Sequence, residues 1–239
     1  MLVSELIQKS PIRIFEESIH GGLKAGEIGI IASQSGLGKT SVLVQLGLDK
    51  LLQGKKVIHV SFTQHTHYVL SWYEDIFNEF ISPKNLENAA DIKNELNKNR
   101  VFMIFNQDGI SKDQILKSLR AMIVDGGFKA ESIIIDGFDF SRKSGDRGQY
   151  ISLPDVKAFA KELELSVWYS CGISDQGQQF DENNFPVTLK EFADCIDVVI
   201  ILEPKQDHIS LSVSRDRDST DIKARAMRLD PKTLLMLDS

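Results

Sequence analysis

Along most of this chain, apolar runs of strand length alternate with stretches whose apolar residues recur at helical spacing. Residues 27–32 form a short apolar run. Residues 39–53 follow as a long amphipathic stretch closed by Gly54, a residue type suited to the left-handed position past a helix end. A second strand is expected over 56–62. Over 66–80, Val69, Leu70, Tyr73, Ile76, Phe77 and Phe80 stand three or four apart, which predicts a helix stopped by Ser82 and Pro83. A short polar helix is expected within 86–97 and a strand over 101–105. Ser111 then caps a helix running to about Asp125, closed by Gly126 and Gly127.

Residues 132–136 read Ser-Ile-Ile-Ile-Asp. Three consecutive isoleucines suit a central strand buried on both faces, and Asp136 stands at its carboxyl end, where ligands bind in open α/β sheets. A helix over 153–163 leads into a strand over 166–170, and a short helix near 189–195 into a strand over 198–202. The tail changes character. Residues 208–214 alternate, and 226–229 with 234–237 flank a hairpin-type turn at Asp230, Pro231, Lys232 and Thr233. Alternating strands and helices predict a parallel sheet with crossover helices. No internal repeat or low-complexity segment is found, and one domain over 1–239 is expected, with 1–18 as a lead-in. Segments 140–150 and 172–186 follow the carboxyl ends of central strands, so both are expected at the ligand-binding edge.

The candidate chemistry begins between the first strand and the first long helix, with Ser33, Gln34, Ser35, Gly36, Leu37, Gly38, Lys39 and Thr40. This approximates the phosphate-loop pattern G-x-x-x-x-G-K-[ST], with Ser33 in place of the first glycine. Glycines let consecutive backbone N–H groups turn inward around phosphates without a Cβ in the way. Lys39 would reach the terminal phosphates, Thr40 would offer its hydroxyl to Mg²⁺, and the helix opening at Lys39, with Ser41 in its first turn, would aim its positive end at the nucleotide. Asp136 fits the second half of such a site, a carboxylate holding the metal shell beside Thr40.

Composition narrows the partners. The 42% hydrophobic and 26% charged fractions are those of a soluble globular protein with a sizeable core. A net charge of −6 gives no overall footprint for a polyanion, so tight nonspecific nucleic-acid binding is not favoured. No apolar run approaches the length a membrane helix requires. Cys171 and Cys195 stand in no metal-ligand spacing, and the amino terminus lacks the layout of a signal peptide, which makes the cytoplasm the expected compartment. His65 and His67 are two apart, a spacing that does not put both rings on one helical face.

Taken together, these residues resemble the RecA superfamily of P-loop ATPases, closest to the KaiC/RadA and DnaB-helicase branch. The carriers are the segments 22–27, 33–40, 60–62, 133–136 and 193–199, and the tail segments 213–217 and 228–233. The resemblance implies a three-layer α/β/α domain with a mainly parallel sheet and a C-terminal antiparallel hairpin, ATP and Mg²⁺ as ligands, and a ring or filament of like subunits. In that branch a strand ending in Lys-x-Arg projects cations toward the nucleotide of the neighbouring subunit, and Arg215 and Arg217 occupy those two places. A solvated strand edge balanced by Asp216 and Asp218 is the other reading of this pair.

One departure bears on catalysis. Family members that hydrolyse ATP well carry a glutamate just after the second strand, whereas Phe62 is followed here by Thr63 and Gln64. Neither is a general base of suitable pKa, although Gln64 can orient water by hydrogen bonds. The implied functions are therefore a slow ATPase acting as an oligomeric nucleotide-dependent switch, or an ATP-gated assembly module without turnover. A DNA-acting motor is less favoured. Its best support is Arg142, Lys143 and Arg147, for which solvated loop charge is the favoured reading.

Overall fold

The computed structural model describes residues 3–8, 10–62, 65–82, 88–106, 112–141, 152–174, 176, 179–219 and 227–237. Two helices, α1 (Val3–Gln8) and α2 (Ile12–Ser18), precede strand β1 (Ile28–Ser33). Helix α3 (Lys39–Leu52), β2 (Val57–Ser61), α4 (Thr66–Ile81), α5 (Ala89–Lys98) and β3 (Arg100–Ile104) follow. Then come α6 (Lys112–Arg120), β4 (Ser132–Asp136), α7 (Leu153–Glu162) and β5 (Ser166–Gly172). A 3₁₀ stretch (Val187–Cys195) leads to β6 (Val198–Pro204), β7 (Ile209–Asp216), β8 (Met227–Leu229) and β9 (Met236–Leu237).

The strands form one sheet in the order β3-β2-β4-β5-β1-β6-β7-β8-β9. The first six in that order run parallel, and β6 to β9 are antiparallel. Both faces are buried. In β4, Ile133 and Ile135 belong to the core on one side of the sheet and Ile134 to the core on the other, as a central parallel strand requires. Helix α3 is apolar nearly all round because it is enclosed: residues 41–49 and Leu51–Leu52 are buried. Its end is set by Gly54 at φ +77°, with the Lys55 N–H donating to the Lys50 carbonyl at 3.0 Å.

Four elements differ from the periodicity. The lead-in is helical, and α2 inserts Ile12 and Phe15 into the core, with the Phe15 ring 5.7 Å from that of Trp168. The helix toward Asp125 widens into a π turn over Ala121–Asp125, where the Gly126 N–H donates to the Ala121 carbonyl at 2.8 Å. The helix near 189–195 is 3₁₀ and begins at Val187. Strand β7 runs on to Asp216, past the end of the alternating pattern, because a bulge pairs Val199 with Arg215 and Ile200 with Val213, skipping Ser214.

Candidate nucleotide site

The parallel strands end along one edge of the sheet, and the loop after β1 lies there. Gly36 adopts φ +80° with open space where a Cβ would stand, so the loop's inner face is clear at that position. Gly38 adopts φ +88° immediately before α3, and a Cβ on it would come within 2.6 Å of Leu229 Cδ2. Both positions favour glycine for their left-handed φ, and Gly38 in addition leaves no room for a Cβ. Lys39 Nζ donates to the Ser33 carbonyl (3.0 Å), Ser33 Oγ (3.1 Å) and the Gln34 carbonyl (2.8 Å), so the loop curls around the ammonium. Burial pulls the Lys39 ammonium below its ordinary pKa, with Cys171 and Asp136 acting the other way.

Across from the loop, Thr40 Oγ1 donates to Asp136 Oδ2 at 2.8 Å. Asp136 is buried at the tip of β4, fixed by register with Ser61 of β2 and by the Phe62 N–H donating to its carbonyl at 2.9 Å. The next residue is anchored too: the Gly137 N–H donates to Ser170 Oγ on β5 at 2.8 Å. A cleft of about 550 Å³ opens over these groups, bounded by Gly36, Gly38, Lys39 and Thr40 on one side and by Asp136 and Asp139 on the other. Trp72 and Leu234 line it as well. A hydroxyl and a carboxylate in contact are hard oxygen ligands suited to Mg²⁺, and the glycine-cleared cradle with its cation suits a polyphosphate.

The C-terminal hairpin is joined to the loop-bearing helix. Ser41 Oγ (2.6 Å) and Gln45 Nε2 (2.9 Å) both donate to the Leu234 carbonyl, and the Met236 N–H donates to Gln45 Oε1 at 2.8 Å. Leu234 holds φ +57°, a strained conformation for leucine that these bonds sustain.

Arg215 and Arg217 lie at the opposite edge of the sheet, since β7 runs antiparallel to β6 and Asp216 pairs with Val198 at the start of β6. They are not near the loop after β1 of their own chain. Arg215 Nη1 donates to the Ala193 carbonyl at 2.8 Å, and its guanidinium stands 5.7 Å from the Phe185 ring centroid. Arg217, at φ +56°, is engaged inside its own chain. It grips Glu27 through Nε (2.8 Å) and Nη2 (2.5 Å), donates to the carbonyls of Ile19 (2.9 Å) and Gly22 (2.7 Å), and pairs with Asp216. Burial alone would raise the Glu27 carboxyl, but the bonds from Arg217 and the Lys24 backbone outweigh it and hold the group below its ordinary value.

Thr63, Gln64, Ser111, Arg142, Lys143 and Arg147 lie outside the described residues. The rings of His65 and His67 stack 6.1 Å apart, and among the described residues no three His, Cys, Asp or Glu side chains gather as a metal site would require. No helix among the described residues is long and apolar enough to cross a membrane.

A solved ATPase domain superposes on this molecule with a TM-score of 0.69, over 95% of this chain and 89% of that one, at 12% sequence identity. The fold is that of a RecA-like P-loop domain. No protein-family model and no curated protein matches the sequence. Within this RecA-like frame, sequence reading missed Asp139, Trp72, Ser170 and Leu234 as cleft residues. Only Asp139 carried a local signal: it is a carboxylate set between two aromatic residues directly beyond the Asp136 strand.

Proposed function

We propose that this chain binds ATP with Mg²⁺ and works as an oligomeric, nucleotide-dependent switch with slow hydrolysis. The observation that carries the reading is the Thr40–Asp136 hydrogen bond of 2.8 Å beside the Lys39 ammonium, in a fold shared with an ATPase domain. The backbone of residues 33–41 and Lys39 would bind the phosphates, and Thr40 and Asp136 would hold Mg²⁺. The metal supplies neutralisation of charge on the phosphoryl oxygens. Gln64 would orient the attacking water. The tail residues favour the KaiC/RadA and DnaB-like branch, in which a cation acts across a subunit contact. That role falls first to Arg215, because the donors of Arg217 are taken up within the chain.

Thr63, standing where the branch carries glutamate, favours a second reading, an ATP-gated assembly module without turnover. Light scattering with and without ATP and Mg²⁺, run beside a phosphate-release assay, tests both. ATP-linked assembly with slow release supports the first reading, and assembly without release supports the second. A protein that neither assembles nor releases phosphate contradicts both.

A further inference from the structure

The tips of β2 and β4 are adjacent, and the second of them carries a carboxylate into the cleft. Ser61 pairs with Asp136, and the Phe62 N–H donates to the Asp136 carbonyl at 2.9 Å, so the position after β2 lies one strand spacing, about 5 Å, from the start of the segment after β4. That segment is braced by its aromatic residues. Phe138 and Phe140 are both buried, with ring centroids 4.9 Å apart, and each packs against Tyr169. Phe138 also meets Phe62 at 5.6 Å, and Phe140 meets Phe192 at 5.7 Å. Between these two packed rings Asp139 is only partly buried, and it lines the cleft together with Lys39, Thr40, Asp136 and Phe138. Its Oδ1 accepts from the Ser141 N–H (2.9 Å) and Ser141 Oγ (2.6 Å), which orient the carboxylate.

We infer that Asp139 is the general base for the attacking water, doing from β4 what a glutamate after β2 does elsewhere; the inference rests on the ATPase reading above. Asp136 is the other carboxylate among the described residues lining the cleft, and it is committed to Thr40 and the metal position. The Cys171 thiol is pushed up to about 12 by burial, with Lys39 opposing and Asp139 adding to the rise. In the step, the water oxygen bonds to the γ-phosphorus and the bond from that phosphorus to the β–γ bridging oxygen breaks. The electron pair leaves with ADP, and one water proton passes to the Asp139 carboxylate and then to solvent.

Asp139→Asn keeps an oxygen acceptor for Ser141 and removes the base. Phosphate release should fall about 100-fold or more, while ATP–Mg²⁺ affinity stays within about twofold of the parent. Asp139→Glu should retain part of the rate. Adding Thr63→Glu to Asp139→Asn should restore turnover, because it supplies a carboxylate at the sequence position where the branch carries its glutamate. An Asp139→Asn protein with parental turnover overturns the inference, as does a parent that binds ATP with Mg²⁺ and releases no phosphate. Undiminished ATP binding by Lys39→Ala is a different failure, removing the phosphate-loop reading underneath.

Discussion

The Thr40 hydroxyl donates a 2.8 Å hydrogen bond to the Asp136 carboxylate, joining two residues 96 positions apart in the chain. It brings the first turn of α3 into contact with the tip of β4 across the intervening strand β5. In the proposed function both groups are oxygen ligands of Mg²⁺, and either change, Thr40→Ala or Asp136→Asn, removes one of them. We expect each variant to retain some metal-free ATP binding and to lose the Mg²⁺ dependence of binding, measured by calorimetry with and without the metal. Full Mg²⁺ dependence in both variants would move the metal elsewhere.

Arg217 and Arg215 should separate cleanly under mutation. Arg217→Ala strips Glu27 of a partly buried partner and frees the Ile19 and Gly22 carbonyls, a loss of about 3 kcal/mol on the scale of broken buried pairs. Thermal unfolding should show a fall of several degrees or more. Arg215→Ala should leave Tm nearly unchanged and weaken ATP-linked assembly. The Glu27 pair also carries a pH signature. Its carboxyl is depressed in the folded state, so its contribution is full above the unfolded value of 4.5 and is lost as pH falls through the folded value.

His59 predicts a second acid sensitivity. The ring is fully buried in β2, with Nδ1 3.2 Å from the Tyr73 hydroxyl and Nε2 unpartnered among the described residues. Burial lowers its pKa to about 4, Asp136 opposing and Arg100 assisting. The unfolded chain therefore binds the extra proton between about pH 6.5 and 4, and stability, complete above pH 6.5, should drop by roughly 3 kcal/mol over that window. His59→Phe should flatten this part of the denaturation-midpoint profile against pH. An unchanged profile would mean that His59 does not set it.

Gly38→Ala tests the join between the loop and the hairpin. The new Cβ meets Leu229 Cδ2 at 2.6 Å and is strained at φ +88°. Both ATP affinity and Tm should fall, and adding Leu229→Ala should recover neither fully, since it relieves the clash and leaves the strained φ. Parental affinity in Gly38→Ala would show that loop and hairpin move independently.

Much of the sheet was legible because it is buried on two faces. The Ile133–Ile135 run and the apolar α3 need no distant partner to be recognised, and the glycine pattern with Lys39, from which a phosphate loop is proposed, is local too. What stayed hidden depends on pairing across the chain. The role of α2 as a core element requires Trp168, the clamp on Arg217 requires Glu27 from 190 residues away, and the bulge at Ser214 breaks the alternation from which β7 was read. Asp139 was not singled out in the sequence, because its place in the cleft depends on how the segment after β4 packs, with Phe138 and Phe140 held against Tyr169.

The central claim is that the loop around Lys39 binds a nucleoside triphosphate, and titration calorimetry of ATP–Mg²⁺ against the parent and Lys39→Ala tests it most directly. Lys39 Nζ is held by three acceptors of Ser33 and Gln34 at the mouth of the cradle, and its removal leaves the loop no fixed cation. We expect measurable binding by the parent and a loss of about 100-fold or more in the variant, with both proteins folded. Equal affinity in the two, or no binding by the parent, would contradict the account.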